Sequence, residues 1–240
     1  MAARIQQAFW GRVAGGDMTR WLATVVTAVA IGCSHTDPTG IVAQTAGVRA
    51  GQSARIVAAT PPTAAEWESL RGLAGLRELV LDRGVVDDGR VEILTTLPDL
   101  ERLVLRESPL TDTGFRRLAA CTKLRDLNIP QAACTAVGIR ALSVLEHLRS
   151  LRIGGRALAG ADVCAAVAEL PGLRTLHLID VPIGDAGLRV LARLPRLWSL
   201  YLDGAGVSDE AWEGYFQACP TVHVHVDQAH HDRDPNRGHD

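Results

Sequence analysis

The chain has 240 residues, 47% of them hydrophobic, which is enough apolar material for a sizeable core. Its formal net charge is −2, and its basic residues are interleaved with acids. That balance excludes a general nucleic-acid binder, which needs a basic face to displace counterions from phosphate.

In chain order, the first feature is an apolar stretch of 11 residues at 21–31. A mature membrane-spanning helix needs ~20 residues, so this length suits a signal-peptide core instead. Arg20 supplies its positive flank, and a start at Met18 would leave residues 1–17 untranslated. Ala30-Ile31-Gly32-Cys33 is similar to a bacterial lipobox. The resemblance implies cleavage before Cys33, lipidation of Cys33 and attachment to a membrane in the cell envelope, on its periplasmic or surface side. An uncleaved signal anchor or a poorly ordered N-terminal helix is the other reading. Residues 34–51 are rich in Gly, Ala, Thr and Ser without helical or strand period. They read as a flexible tether reaching ~25 Å.

From residue 52 a repeat takes over. Leu76, Leu100, Leu124, Leu148, Leu173 and Leu197 each open the pattern Leu-x-x-Leu-x-Leu/Ile, at steps of 24, 24, 24, 25 and 24 residues. The period-two alternation inside the pattern predicts a short strand with one buried face. An apolar residue follows at the tenth place: Val86, Leu110, Cys134, Leu158, Ile183 and Val207. Asp88, Asp112, Asp185 and Asp209 come next in four copies and read as helix N-caps, since a carboxylate there accepts unpaired N–H groups. Helically spaced runs follow, such as Leu188, Leu191 and Leu194, and Pro98, Pro171, Pro195 and Pro220 close them. Two degenerate units flank the six copies. Arg55-Ile56-Val57 begins one and Val222-His223-Val224-His225-Val226 forms a closing strand, so the array is about seven units plus a strand.

These residues resemble the leucine-rich-repeat family, and Thr111-Asp112-Thr113-Gly114-Phe115 and Gly184-Asp185-Ala186-Gly187-Leu188 carry the resemblance best. It covers roughly residues 52–226. It implies an α/β solenoid with a curved parallel sheet on the concave side and short helices on the convex side. The family often stacks Asn at the ninth position. This chain has Gly84, Ser108, Ala132, Arg156, Val181 and Ala205 there, so the turn backbone needs other partners.

The repeat assigns most chemically suggestive residues to the framework. Cys121, Cys134, Cys164 and Cys219 fall at apolar positions and read as core cysteines. Gly154-Gly155 and Gly204-Ala205-Gly206 follow strands but complete no phosphate-loop motif. No nucleophile with a nearby base and no catalytic motif emerges, so an enzyme is not expected, nor any cofactor.

Two groups remain. The strand residues between the leucines face away from the core, and the central column reads Val80, Val104, Asn128, Arg152, His177 and Tyr201. A one-residue register adjustment would add His225. With Asp203 beside it, and Arg102, Arg106 and Asp126 further along, this face is the candidate surface for a protein partner. The second group is the histidine-rich C-terminus. His223, His225, His230, His231 and Asp232 are chemically suited to zinc, nickel or copper, although residues 227–240 also read as a charged, disordered tail. The sequence therefore predicts a monomeric, non-catalytic protein-binding module at the cell envelope. The alternatives are a metal-binding envelope protein or a structural repeat without a specific ligand.

Overall fold

The computed structural model describes residues 40–155, 157, 158 and 160–236. The signal segment and Cys33 lie outside the described residues. Each of the six Leu-x-x-Leu-x-Leu/Ile units and both degenerate ends form a short strand: β1 Arg55–Ala58, β2 Glu78–Leu81, β3 Arg102–Leu105, β4 Asp126–Ile129, β5 Ser150–Gly154, β6 Thr175–Ile179, β7 Ser199–Leu202 and β8 His223–Val226. These strands pair in sequential order and all in parallel, and an antiparallel β9, Ala229–His230, ends the sheet. The helices are α1 Ile41–Arg49, α2 Ala64–Leu70, α3 Val91–Leu94, α4 Asp112–Leu118, α5 Ala136–Ala141, α6 Gly160–Ala168, α7 Gly184–Leu191 and α8 Asp209–Ala218.

The strict period fixes the register. Leu79 stands opposite Leu103, and the row continues through Leu127, Leu151, Leu176 and Leu200 to Val224. Every member of that row is buried, and Leu81, Leu105, Ile129, Ile153, Leu178 and Leu202 form a second buried row. Together with the helix residues they make one continuous core. Full burial of each such side chain contributes ~1.5–3 kcal/mol before the ordering cost is subtracted. The extra residue of the fourth copy lies between Leu158 and Leu170, in the stretch occupied by α6, so strand pairing is undisturbed.

The turn chemistry works differently from the expectation. The N-caps are Thr111, Thr135 and Ser208, whose hydroxyls accept from Thr113, Val137 and Ala211 N–H. Asp88, Asp112 and Asp185 instead bind the cap of the following repeat, and Asp209 is the first residue of the helix that Ser208 caps. Asp112 Oδ1 accepts from Thr135 N at 2.7 Å and Gly138 N at 2.9 Å, and its Oδ2 accepts from Thr135 Oγ1 at 2.9 Å. Asp88 serves Thr111 and Asp185 serves Ser208 in the same way. This carboxylate also explains the glycine in the turn: a Cβ on Gly138 would come within 2.6 Å of Asp112 Oδ1, and one on Gly114 would collide with Asp88. Burial raises the Asp112 carboxyl, but the Thr135 and Gly138 donors outweigh it and hold it below its ordinary value. Where the Asn ladder is missing, Ser108 is buried, accepts from Val86 N at 3.1 Å and donates to Arg106 O.

Cys121, Cys134 and Cys164 are buried core residues as expected, whereas Cys219 is half-buried at the end of α8. Burial pushes the thiols of Cys121 to about 11 and of Cys134 and Cys164 to about 12, so they behave as small hydrophobes. Gly154 and Gly155 are framework too, because a Cβ on Gly154 would lie 2.7 Å from Pro130 O and one on Gly155 would strike Ala132 O.

Both ends of the array are closed, which corrects two expectations. Residues 41–49 of the anticipated tether form helix α1, with Ile41, Thr45 and Val48 buried. The Gln44 side-chain amide donates to Val57 O and accepts from Val57 N, both at 2.9 Å, so it pairs with the free edge of β1. At the other end residues 227–236 of the expected tail are folded. It turns back as β9 and then places Asp234 against Val224 N at 2.9 Å, where a further repeat would otherwise bond. An open sheet edge has unmet backbone groups, and that need gives both segments their structure.

Candidate functional site

The sheet face opposite the core carries the predicted column. Asn128 pairs with Arg152, Arg152 with His177, His177 with Tyr201, and Tyr201 with His225. His225 takes its place at the regular 24-residue interval after Tyr201, so no register adjustment is needed. Parallel strands at regular spacing bring these side chains together although they are distant in sequence.

Their burial departs from the expected exposed display. Asn128 is 7% exposed, Arg152 4%, His177 8%, Tyr201 8% and His225 4%, because each is covered by its neighbours in the column. Val80, Val104 and Tyr201 are buried without joining the main core, so this face has a packed seam of its own. The His177 and Tyr201 rings lie 5.5 Å apart, and the Tyr201 and His225 rings 4.8 Å apart. His177 Nε2 meets Asp203 Oδ2 at 2.9 Å. Burial lowers the His177 pKa, and the Asp203 hydrogen bond offsets this only in part, so the ring is held neutral and donates to Asp203.

Arg152 differs from its neighbours. Its Nε and the Asn128 Oδ1 on the adjacent strand are buried polar atoms without a hydrogen-bond partner. Burial lowers the Arg152 pKa, the Arg106 charge adds to that, and Asp203 opposes it. The flanking columns are more open and paired. Arg106 contacts Asp82 at 2.9 Å, and Glu78 lies between Arg55 at 3.2 Å and Arg102 at 3.6 Å. Burial pushes the Asp126 carboxyl up, against the pull of the Arg102 charge.

The histidine set separates into two. His223, His225 and His230 converge, with one nitrogen from each within 4.8 Å of the others. His231 points elsewhere, against Trp212 and Phe216 with ring centroids 4.8 and 5.0 Å away. Asp232 is exposed and belongs to no such group. The carboxylate beside the convergent histidines is Asp234, 3.0 Å from His223 Nδ1. The turn after β9 brings Asp234 back to β8.

No protein-family model matches the chain, and comparison with curated proteins finds no match. Among solved structures, it is similar to an internalin (inlF) from Listeria monocytogenes, with 18% identity and a TM-score of 0.41. The similarity covers 68% of this chain and 57% of that one, so the chain spans under two thirds of the neighbour's length. The repeat, the sequential parallel sheet and the short helices define the class: an α/β leucine-rich-repeat solenoid. Among the described residues no helix is long and apolar enough to cross a membrane.

Proposed function

We propose that this chain is a non-catalytic protein-binding module that grips its partner through the sheet face opposite the core, around Arg152. The observation that carries the reading is the adjacent pair of buried, unpartnered atoms, Arg152 Nε and Asn128 Oδ1. Buried donors and acceptors are nearly always satisfied, and leaving one unmade costs ~1–3 kcal/mol. A partner that inserts a carboxylate or backbone carbonyl beside Arg152 and an N–H beside Asn128 removes that cost. Arg102, Arg106 and Asp126 form the charged rim, and His177, Tyr201 and Asp203 brace the centre. Their packing holds the site rigid before binding, which lowers the ordering cost of association.

The same reading places the module at the cell envelope as a monomer, exported by the segment at 21–31 and held on lipid through Cys33. Metabolic labelling with a palmitate analogue tests the anchor, and no label on the wild-type chain refutes it. Partner capture by cross-linking in cells tests the face. Because Arg152, His177 and Tyr201 are buried, their joint replacement by alanine costs stability as well as contacts. The cleaner pair is Arg152→Gln with Arg102→Glu/Arg106→Glu, each checked for native circular dichroism. Capture lost in both folded variants supports the face. Undiminished capture overturns it, and the absence of any cross-linked partner favours a structural repeat without a ligand.

A further inference from the structure

We propose that His223, His225 and His230 form a binding site for a divalent first-row transition metal, zinc above all, at the closing end of the solenoid. The site adjoins the partner face proposed around Arg152, since His225 packs on Tyr201, but its argument does not rest on that face. Its geometry follows from strand physics. His223 and His225 are two apart on β8 and so share one face, and His230 is the antiparallel partner of His225 on β9. A hairpin connected by only Asp227 and Gln228 produces that pairing, with φ of 48° and 66°. Two successive left-handed residues are what a tight two-residue hairpin requires, and neither position here is glycine, so the chain bears backbone strain to make this turn. Asp227 helps to hold the turn, as its Oδ1 accepts from Gly204 N at 2.9 Å.

The three rings then lie with centroids 4.7 Å apart for His223 and His225, 4.9 Å for His223 and His230, and 4.1 Å for His225 and His230. Zinc–imidazole bonds of ~2.0–2.1 Å place tetrahedral nitrogens ~3.3 Å apart. His223 and His225 Nε2 face each other at 2.8 Å, and all three donor nitrogens fit within 4.8 Å, so small ring rotations bring them to one ion. Imidazole donors suit zinc, copper and nickel, whereas magnesium and calcium take oxygen ligands.

Asp234 supplies the second independent observation. Its side chain is 0% exposed and lies 3.0 Å from His223 Nδ1. With that carboxylate at the far nitrogen of the ring, Nε2 is the His223 atom that faces the cluster. Asp234 is itself aligned, because its Oδ2 accepts from Val224 N at 2.9 Å and its Oδ1 from Asn236 N at 2.7 Å. A buried carboxylate that orients the far nitrogen of a ligating histidine is the usual support of a metal-bound imidazole. A three-imidazole set leaves a fourth position for water or another ligand, and His223 and His230 are only half-buried, so an ion can reach the site.

Titration of zinc chloride into the full chain, followed by calorimetry, tests the site, with cobalt(II) absorption reporting nitrogen coordination. We expect one equivalent per chain, lost in His225→Gln and in His230→Gln and kept in His231→Gln. Asp234→Asn should weaken affinity ~10–100-fold while a full equivalent still binds. His225 lies in the sheet and its variant can fail to fold; His230 lies on the terminal strand, so His230→Gln with native circular dichroism decides the matter. No stoichiometric binding by the wild type, or equal binding by folded His230→Gln, overturns the proposal.

Discussion

At the N-terminal end, β1 is closed by α1; at the C-terminal end, β8 is closed by β9 and the turn bearing Asp234. Each closure meets the same need, since the edge strand of a parallel array has unpaired N–H and C=O groups. The N-terminal closure uses a neutral side chain: the Gln44 amide alone supplies a donor and an acceptor to Val57. The C-terminal closure uses more than the edge requires. It brings a buried carboxylate, three convergent imidazoles and two left-handed residues to one place. The comparison shows how little capping demands, and the surplus at the second end is where the proposed metal site lies.

Replacing the buried aromatic behind each closure should have the largest effect. Trp67 is 1% exposed and Trp212 4%, and truncation of either to alanine should cost ~3–5 kcal/mol in urea denaturation. If only the Trp67 variant loses stability, the C-terminal closure is not part of the cooperative unit. Gln44→Ala comes next, since it leaves a half-buried backbone N–H and C=O without their partner, and should cost ~1–3 kcal/mol. Asp234→Ala should fall in the same range, ~1–3 kcal/mol, because it strips the partner from Val224 N. Asp234→Asn should lose less, as the amide oxygen can still accept from Val224 N.

A smaller effect separates the imidazoles by pH. His177 has its pKa lowered by burial, with Asp203 offsetting only part. The unfolded chain therefore binds the extra proton more readily, and stability rises with pH from the lowered folded value up to ~6.5, the unfolded value. Below that window the full penalty is present. The slope cannot exceed ~1.4 kcal/mol per pH unit for one proton, and His177→Gln should remove that part of it. An unchanged slope in the variant means that His177 is not the group responsible. Smallest of all, Arg102→Ala and Arg106→Ala break half-exposed ion pairs and should change stability by only ~0–1 kcal/mol, while weakening partner capture.

Much of this architecture is legible in the sequence. A leucine step of 24 residues assigns every position to a face, and the structure keeps Leu76, Leu100, Leu124, Leu148 and Leu173 buried, with Leu197 at 9% exposure. The central polar column was also legible as a set, because equal spacing in sequence becomes adjacency across strands. Its burial was not. Whether Arg152 is exposed depends on the side chains of β4 and β6 beside it, and those contacts are not local in sequence. The aspartates were misassigned for the same reason: Asp112 looks like a cap for its own helix, yet its hydrogen bonds go to Thr135 and Gly138 in the next repeat. The anticipated tether and tail illustrate the point at the ends. Neither Ile41–Arg49 nor residues 227–236 carry a strong period, and both are ordered by the edge strands on which they dock.

The sequence by itself determined the repeat, the strand register and the identity of the core, because period and apolar spacing are local properties of a chain. Tertiary structure alone decided which polar atoms are buried without partners, which carboxylate serves which helix, and which three of the C-terminal histidines meet. Those outcomes depend on neighbours supplied by other repeats. They also depend on the backbone bonding demand at each edge of the sheet, which exists only once the strands have stacked.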